Sequence, residues 1–229
     1  MATTRADRRA ATAAEIKQAA LRQLAALGAA EISLRGIAGE LGITAPAIYR
    51  YFPSRDALLT ALIADGYRSL AAALRAGDGC VPDRDIAARI LAVSFAYRRW
   101  ALTHPHEFAL LFGTPVPGYE APREETVPAV TEAFQALLGP LVEGWEAGLL
   151  GGGIDPSPNL PIPTLATLPR VGIPSALLPV VVRLMGQLHG LTMLELTGHL
   201  RPIVGDCDAA FQTAAEAFVL ELGLAPPRP

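Results

Sequence analysis

The segment 33–52, SLRGIAGELGITAPAIYRYF, is the part of the sequence whose residue pattern best indicates a function. Its second half predicts a short helix in which four residues lie on the outer side: Ala45, Pro46, Tyr49 and Arg50. Because an α-helix fits the major groove of B-DNA and the residues near its N-terminus meet base edges, this side predicts contact with duplex DNA. The alternatives are that Tyr49 is a packing aromatic and that Arg50 is a solvated surface charge.

Two short helices and a tight turn would position these residues. Ser33 can cap a first helix that runs to Leu41, and Thr44 can cap a second that runs to about Tyr51. Gly42 lies between them, where a sharp turn requires a positive φ. Small Ala38 suits a close crossing of the two helices, and the expected shared core is Ile37, Leu41, Ile43 and Ile48.

Composition favours a helical, globular protein. Apolar residues make up 51% and charged residues 18% of the 229 residues, which excludes a disordered chain. The net charge of −3 argues against a nucleic-acid binder, but residues 1–60 hold eight basic and five acidic side chains. Such a basic segment on an acidic body suits a protein that presents one face to phosphates. Ordinary charge scatter is the alternative explanation.

Several function classes lack their signatures in this sequence. No Gly-x-Ser-x-Gly, P-loop, His-Glu-x-x-His or dinucleotide fingerprint occurs, so we expect neither an enzyme nor a bound cofactor. The two cysteines are not clustered with other ligands, so we expect no metal site. The sequence shows no secretory signal and no charge-free apolar stretch of membrane-spanning length. We therefore expect a cytoplasmic protein without a membrane partner.

Apolar periodicity and capping residues predict an all-α chain of about nine helices. Residues 1–12 are predicted to be a mobile arm, and residues 151–174 a Gly/Pro-rich loop. The predicted helices cover about 13–27, 33–41, 44–51, 54–75, 83–103, a short stretch after Pro105 that ends at Phe112, 124–150, 175–200 and 206–222.

The segment 41–59, LGITAPAIYRYFPSRDALL, resembles the TetR family of bacterial regulators. Three later segments, YRRWALTHP (97–105), LFGTPVP (111–117) and LHGL (188–191), resemble its WHG-type subgroup, although the tryptophan expected near Leu184 is missing. The resemblance implies an N-terminal three-helix DNA-binding bundle with a helix-turn-helix over residues 1–55. It implies a larger helical effector-binding and dimerisation domain over residues 56–229.

The resemblance also implies roles for the matched positions. Arg35 would approach a base or a phosphate, Arg50 would face the groove with Ala45 and Pro46, and Arg55 would replace the family's usual lysine as a phosphate contact. The hydroxyl groups expected to bond backbone phosphates are those of Thr44, Tyr49 and Tyr51. The alternative for Arg35 and Arg50 is a solvated surface charge. Gly36 and Gly39 depart from the commoner charged residues, and each weakens the first short helix.

In the larger helical domain over residues 56–229, which we call the body, the resemblance implies a cavity for a small organic effector. Its expected aromatic and polar lining is Phe95, Trp100, Phe108, Phe112, Trp145, Met185, Gln187 and His189. Plain core packing is the alternative for the aromatic residues, and a bond across a helix pair is the alternative for His189. Glu195 stands among apolar residues and should find a partner or stay neutral.

The sequence therefore predicts a ligand-responsive repressor that binds a palindromic operator in double-stranded DNA. It would act as a homodimer formed through the helices near 175–200 and 206–222, where Gly186 and Gly190 allow close helix approach. The alternatives are a constitutive DNA-binding protein and a helical protein-interaction protein without a small-molecule effector.

Overall fold

The computed structural model describes residues 4–82, 84–151 and 172–225. In these ranges the chain forms ten α-helices and no β-strand, which confirms the all-α fold class. The helices are α1 (Arg5–Leu27), α2 (Leu34–Glu40), α3 (Ala45–Tyr49), α4 (Arg55–Asp78), α5 (Ile86–Thr103), α6 (Pro105–Phe112), α7 (Arg123–Glu146), α8 (Leu178–Leu196), α9 (Arg201–Val204) and α10 (Cys207–Glu221).

Helix α1 begins about two turns earlier than the sequence predicted. The Thr4 side chain accepts a hydrogen bond from the Asp7 amide at 3.1 Å, and the Asp7 carboxylate accepts one from the Thr4 amide at 2.9 Å. This reciprocal capping box stabilises the first turn. The predicted arm over residues 1–12 is therefore wrong from Arg5 onward, and its first three residues lie outside the described ranges.

Helices α1, α2 and α3 share one apolar core. Ile16, Ile37 and Ile48 each contribute a fully buried side chain, one from each helix. Gly42 has a φ of 65°, as the predicted turn requires, and the Ile43 amide then donates to the Ala38 carbonyl at 3.0 Å. The turn thus sets the angle at which α3 leaves α2, which confirms the helix-turn-helix expected at this place.

The described contacts divide the chain into two compact units. The first unit contains the chain through Tyr67 together with His104–Pro128, and the second contains Arg68–Thr103 together with the chain from Ala129 onward. The proposed functional division of residues 1–55 from residues 56–229 concerns roles rather than compactness, and it stays a prediction.

In the second unit, α5 packs against both α8 and α10. Tyr97 of α5 and Phe211 of α10 are each only 1% exposed, so their rings belong to the core of this unit. The predicted helix over 175–200 is shorter in the structure: a 3₁₀ turn, Ser175–Leu177, precedes α8, and the His199 amide closes its end on the Leu194 carbonyl at 2.8 Å. The short α9 that follows accounts for the tenth helix.

Other helix ends also differ from the predicted ones. Helix α5 starts three residues after the predicted residue 83, and α7 ends four residues before the predicted residue 150. The Asp85 carboxylate accepts a hydrogen bond from the Ala88 amide at 2.9 Å, and this cap explains the later start of α5. The predicted loop over 151–174 lies almost entirely outside the described residues.

Two segments pass a length and hydropathy test for a membrane span, Arg55–Asp78 and Ser175–Leu196. Core helices of water-soluble proteins pass the same test. Within the first segment Arg75 pairs with Glu132 at 2.6 Å and Asp78 pairs with Arg89 at 2.7 Å, and within the second Glu195 pairs with Arg98 at 2.6 Å. Charged side chains bound to neighbouring helices suit a packed core helix better than a lipid-facing one.

Candidate nucleic-acid interface

The outer side of α3 is accessible over its whole length. Thr44 precedes the helix as its N-cap, and its hydroxyl makes no capping hydrogen bond, contrary to the predicted capping role. Pro46, Tyr49 and Arg50 are exposed, and Ala45 is partly exposed, whereas Ile48 is fully buried. A single anchor residue therefore fixes the helix to the core, and the other side offers a hydroxyl, a phenol and a guanidinium to a ligand.

Helix α2 presents the predicted Arg35 to solvent. The Ser33 side chain accepts a hydrogen bond from the Gly36 amide at 3.3 Å and so caps α2, as predicted. The Ser33 amide donates to the Gln23 side-chain oxygen at 3.0 Å, and this bond ties the start of α2 to α1. Arg35 thus projects from a helix end that is held at two points.

Gly36 has a packing reason that the sequence did not reveal. A Cβ at this position would lie 3.0 Å from Gln23 Nε2, at the end of that side chain, which is tighter than nine in ten real Cβ contacts. A Cβ at Gly39 would meet nothing within 4 Å. The first glycine therefore serves the approach of α2 to α1, and the structure gives no packing reason for the second.

Arg55 has a setting different from that of the other predicted DNA contacts. Its guanidinium donates to the carbonyl oxygens of Ala29 at 2.8 Å and Ala30 at 3.1 Å, in the 3₁₀ turn after α1. Its buried Nε has no hydrogen-bond partner among the described residues. These bonds hold the connection between α1 and α2 to the start of α4, so Arg55 positions the helices whether or not it also meets a phosphate.

Tyr51 and Arg50 lie next to a residue that the sequence reasoning missed. Arg9 of α1 donates from Nη2 to the Arg50 carbonyl at 3.3 Å, and its guanidinium carbon lies 5.8 Å from the centroid of the Tyr51 ring. This contact brings a second cationic residue, beside Arg50, to the C-terminal end of α3. The capping pair Thr4 and Asp7 could have placed Arg9 on α1, but no local signal indicates its contact with Arg50.

The residues predicted to line an effector cavity do not all fall in one unit. Phe108 and Phe112 belong to the first unit, where their ring centroids are 5.1 Å apart, and Phe112 also meets Tyr67 edge to face at 5.7 Å. Burial raises the pKa of Tyr67 to about 12, so this phenol stays neutral. The predicted lining residues of the second unit are Phe95, Trp100, Trp145, Met185, Gln187 and His189.

Several of these second-unit side chains bond to other residues of the chain. Trp100 Nε1 donates to Ser69 Oγ at 3.0 Å, and Gln187 Nε2 donates to the Ala214 carbonyl at 2.6 Å. His189 Nδ1 lies 2.7 Å from the Tyr97 hydroxyl, so this histidine does bond across a helix pair. Burial lowers the pKa of His189 below its usual value, which keeps the ring neutral at pH 7.

Glu195 has the partner that the sequence required. Arg98 of α5 donates from Nε and Nη2 to the two Glu195 oxygens, each at 2.6 Å, and also pairs with Asp208 at 2.6 Å. The Glu195 hydrogen bonds outweigh burial and raise the pKa of Arg98 above its usual range. Arg98 therefore links α5 to α8 and to the start of α10 through its two carboxylate partners.

Two family models match this chain. The model described as bacterial regulatory proteins of the tetR family covers residues 16–62, and a tetracyclin repressor-like C-terminal domain covers residues 90–218. The HTH-type transcriptional regulators Rv1816 of Mycobacterium tuberculosis and Mb1846 of Mycobacterium bovis are 42% identical over 145 residues, which is 63% of this chain. The matched region spans 62% of the length of these curated relatives.

Solved structures match over more of the chain. SCO4313 is 32% identical with a TM-score of 0.74, covering 95% of this chain and 99% of that one. A Rhodococcus sp. RHA1 protein of unknown function is 25% identical with a TM-score of 0.71, covering 93% and 95%. A Marinobacter aquaeolei TetR family regulator at 18% identity and a TM-score of 0.62, covering 92% and 96%, shares the fold. The chain therefore belongs to the TetR family of bacterial regulatory proteins.

Proposed function

We propose that this protein is a cytoplasmic transcriptional regulator that binds an operator in double-stranded DNA. The observation that carries the proposal is the outer side of α3, where Thr44, Tyr49 and Arg50 are accessible while Ile48 anchors the helix. Hydroxyl and guanidinium groups bond phosphates and base edges, and an exposed helix of this kind fits the major groove. Arg35 adds a second cationic contact from α2.

Selection of bound duplexes from a random pool tests the DNA-binding role. We expect enrichment of an inverted repeat whose half-sites are separated by about one helical turn or a multiple of it. Arg50→Ala should weaken binding to the selected duplex, whereas Arg99→Ala, which removes an exposed arginine of the second unit, should leave the affinity within twofold. A wild-type chain that binds no duplex at low ionic strength would overturn the proposal.

We propose that the protein acts as a homodimer through α8 and α10. Exposed apolar side chains on these helices support this: Val182 is 60% exposed and Leu220 is 57% exposed. Added Cβ atoms at Gly186 and Gly190 on α8 would meet nothing within 4 Å, so a partner helix can approach there. A symmetric interface of this kind would bury the same surface on both copies.

Sedimentation of the purified chain tests the dimer. We expect a mass of two chains for the wild type and of one chain for Val182→Arg. The matched control is Leu27→Arg, since Leu27 is 61% exposed on α1 and lies outside the proposed interface. A monomeric wild type, or equal loss of the dimer in both variants, would contradict this interface.

We propose that a small organic effector binds the body and lowers operator affinity, which makes the protein a repressor. The fully buried Thr192 hydroxyl on α8, which has no hydrogen-bond partner among the described residues, supports a polar contact for such a ligand. A buried hydroxyl without a partner costs about 1–3 kcal/mol, which a ligand could offset.

Titration of the protein–operator complex with a panel of aromatic and aliphatic organic compounds tests this part. We expect at least one compound to release the operator, and His189→Gln to weaken that response without changing the affinity of the unliganded protein. An operator affinity that no compound changes would leave a constitutive DNA-binding protein. An affinity that does not change with salt concentration would instead indicate a protein-interaction role, because the affinity of phosphate contacts falls steeply as salt rises.

A further inference from the structure

The first unit contains a concave, strongly cationic pocket beside the C-terminal end of α3. Its cavity measures about 390 Å³ and lies between the start of α1 and the residues that follow α3. The residues that line it are Arg5, Arg8, Arg9, Thr12, Arg50 and Tyr51. We call this site the arginine pocket.

The positive charges of the arginine pocket are not neutralised locally. None of its four arginines forms an ion pair with a carboxylate anywhere in residues 4–82, 84–151 and 172–225. Asp7 is the acidic residue nearest in sequence, and its carboxylate is bonded to the Thr4 amide. Hydrogen bonding to the Thr4 side chain and, to a smaller extent, to the Thr4 amide lowers the pKa of Asp7 and engages its carboxylate at the helix cap.

Helix stability does not explain these arginines. The first turns of a helix favour acidic side chains, because the macrodipole places partial positive charge at the N-terminus. Arg5 and Arg8 are exposed in the first two turns of α1, where their charge opposes that preference. Residues that break a local stability rule mark places where function is expected.

Arg9 connects the pocket to the recognition helix. Its contacts with the Arg50 carbonyl and the Tyr51 ring fix one wall of the pocket to the end of α3. A ligand held by Arg5 and Arg8 would therefore lie next to whatever α3 binds. Guanidinium groups recognise phosphate oxygens through paired hydrogen bonds, and the Tyr51 phenol at this site can donate a further bond.

We propose that the arginine pocket binds a phosphate of the DNA backbone that lies outside the stretch contacted by α3 itself. The inference rests on the proposed DNA-binding function and extends it to α1. Such a contact sets the register of the protein on the duplex and raises affinity for every sequence alike, since phosphates carry no direct sequence information.

The test compares wild type with Arg5→Gln/Arg8→Gln on the selected duplex and on a random duplex of equal length. We expect roughly tenfold weaker binding to both, as for the loss of a charge-assisted contact. The slope of log affinity against log salt should flatten by about 0.9 for each lost phosphate. The thermal midpoint should stay equal or rise, because the charges removed oppose the dipole of α1.

A scan of the duplex with uncharged methylphosphonate linkages locates the phosphate. At one linkage position, we expect the wild type to bind the modified duplex about as weakly as the double variant binds the unmodified duplex. At that position the double variant should lose no further affinity. The control is Arg84→Gln, an exposed arginine of the second unit, which should bind like wild type. Equal losses in this control would attribute the effect to net charge and overturn the assignment.

Two further outcomes separate the two proposals. A wild-type chain that binds no duplex would overturn the proposed DNA-binding function, and the arginine pocket with it. A wild type that binds, with a double variant of unchanged affinity and salt slope, overturns only the arginine pocket. Tight saturable binding of inorganic phosphate with unchanged DNA affinity in the double variant would likewise overturn it, by making the pocket a small-anion site.

Discussion

Two exposed arginines of the first unit and two buried arginines of the second unit are used in opposite ways. In the first unit Arg35 and Arg50 are exposed and form no ion pair within the described part of the chain. In the second unit Arg89 and Arg98 are 7% and 8% exposed, and each binds two carboxylates. The same side chain is thus available to an outside anion in the first pair and holds helices together in the second.

The physical reason for the difference is solvation. An exposed guanidinium keeps its water and needs no partner, so it can exchange water for a phosphate at little cost. A buried guanidinium without a carboxylate would be expensive, and the pairing in the second unit removes that cost. Changing one arginine at a time in each unit tests this contrast.

The largest effect is expected for Arg98→Met. It leaves Glu195, whose side chain is 15% exposed, without its cation, and breaking a buried pair costs about 3–5 kcal/mol of unfolding free energy. Chemical denaturation of the full chain measures this. Arg98→Met/Glu195→Leu should recover most of the loss, while Arg99→Met on the exposed side of α5 should change stability by less than about 0.5 kcal/mol. A loss in Arg98→Met no larger than in Arg99→Met would contradict the contrast.

Arg55→Ala should have the next largest effect, and it should act on folding. The variant loses two charge-assisted hydrogen bonds to the carbonyls of Ala29 and Ala30, at about 2–3 kcal/mol. We expect a lower thermal midpoint together with weaker DNA binding. Were Arg55 only a phosphate contact, the midpoint would stay at the wild-type value and the salt slope alone would change.

Arg35→Ala should leave folding unchanged and affect only DNA binding. Because Arg35 is exposed, we expect the unfolding free energy to move by less than about 0.5 kcal/mol. Affinity for the selected duplex should fall by about 1–2 kcal/mol if the guanidinium bonds a guanine. Titration with selected and random duplexes decides the role, since equal losses on both would assign Arg35 to a phosphate.

The smallest effect concerns pH and His189. Its pKa in the folded protein is lowered from 6.5 by burial, so the unfolded chain takes up the proton first as pH falls. The stability that neutral His189 provides is therefore complete above pH 6.5 and is lost below it, down to the folded pKa. Comparing unfolding at pH 7.5 and 5.5 should show a smaller difference for His189→Gln than for wild type or for His106→Gln, which changes an exposed histidine. An unchanged pH difference in His189→Gln would refute this.

The helix-turn-helix could be predicted because its signals are local. Ser33, Gly42 and Ile48 act within a few residues of their own positions, and the structure places a cap, a turn and a buried anchor there. Thr44 was wrong as a side-chain cap, since Pro46 already suits the first turn and the hydroxyl stays unbonded at the N-cap. The early start of α1 was missed although the pair Thr4 and Asp7 is equally local.

Contacts between distant residues could not be predicted in the same way. Arg9 and Arg50 are 41 residues apart, and Arg98 and Glu195 are 97 apart, so no periodicity links them. Burial of a carboxylate among apolar residues required some cation for Glu195 but did not name one. The division of the predicted effector residues into two units likewise depends on packing that spacing does not determine.

The tight fit of Gly36 against Gln23 has a consequence for engineering. A DNA-binding segment transplanted from a relative with a larger residue at the position of Gly36 would require the Gln23 side-chain amide, which accepts the bond from the Ser33 amide, to shift by a few tenths of an ångström. Specificity swaps that exchange α2 and α3 should therefore include position 23 among the residues to be varied.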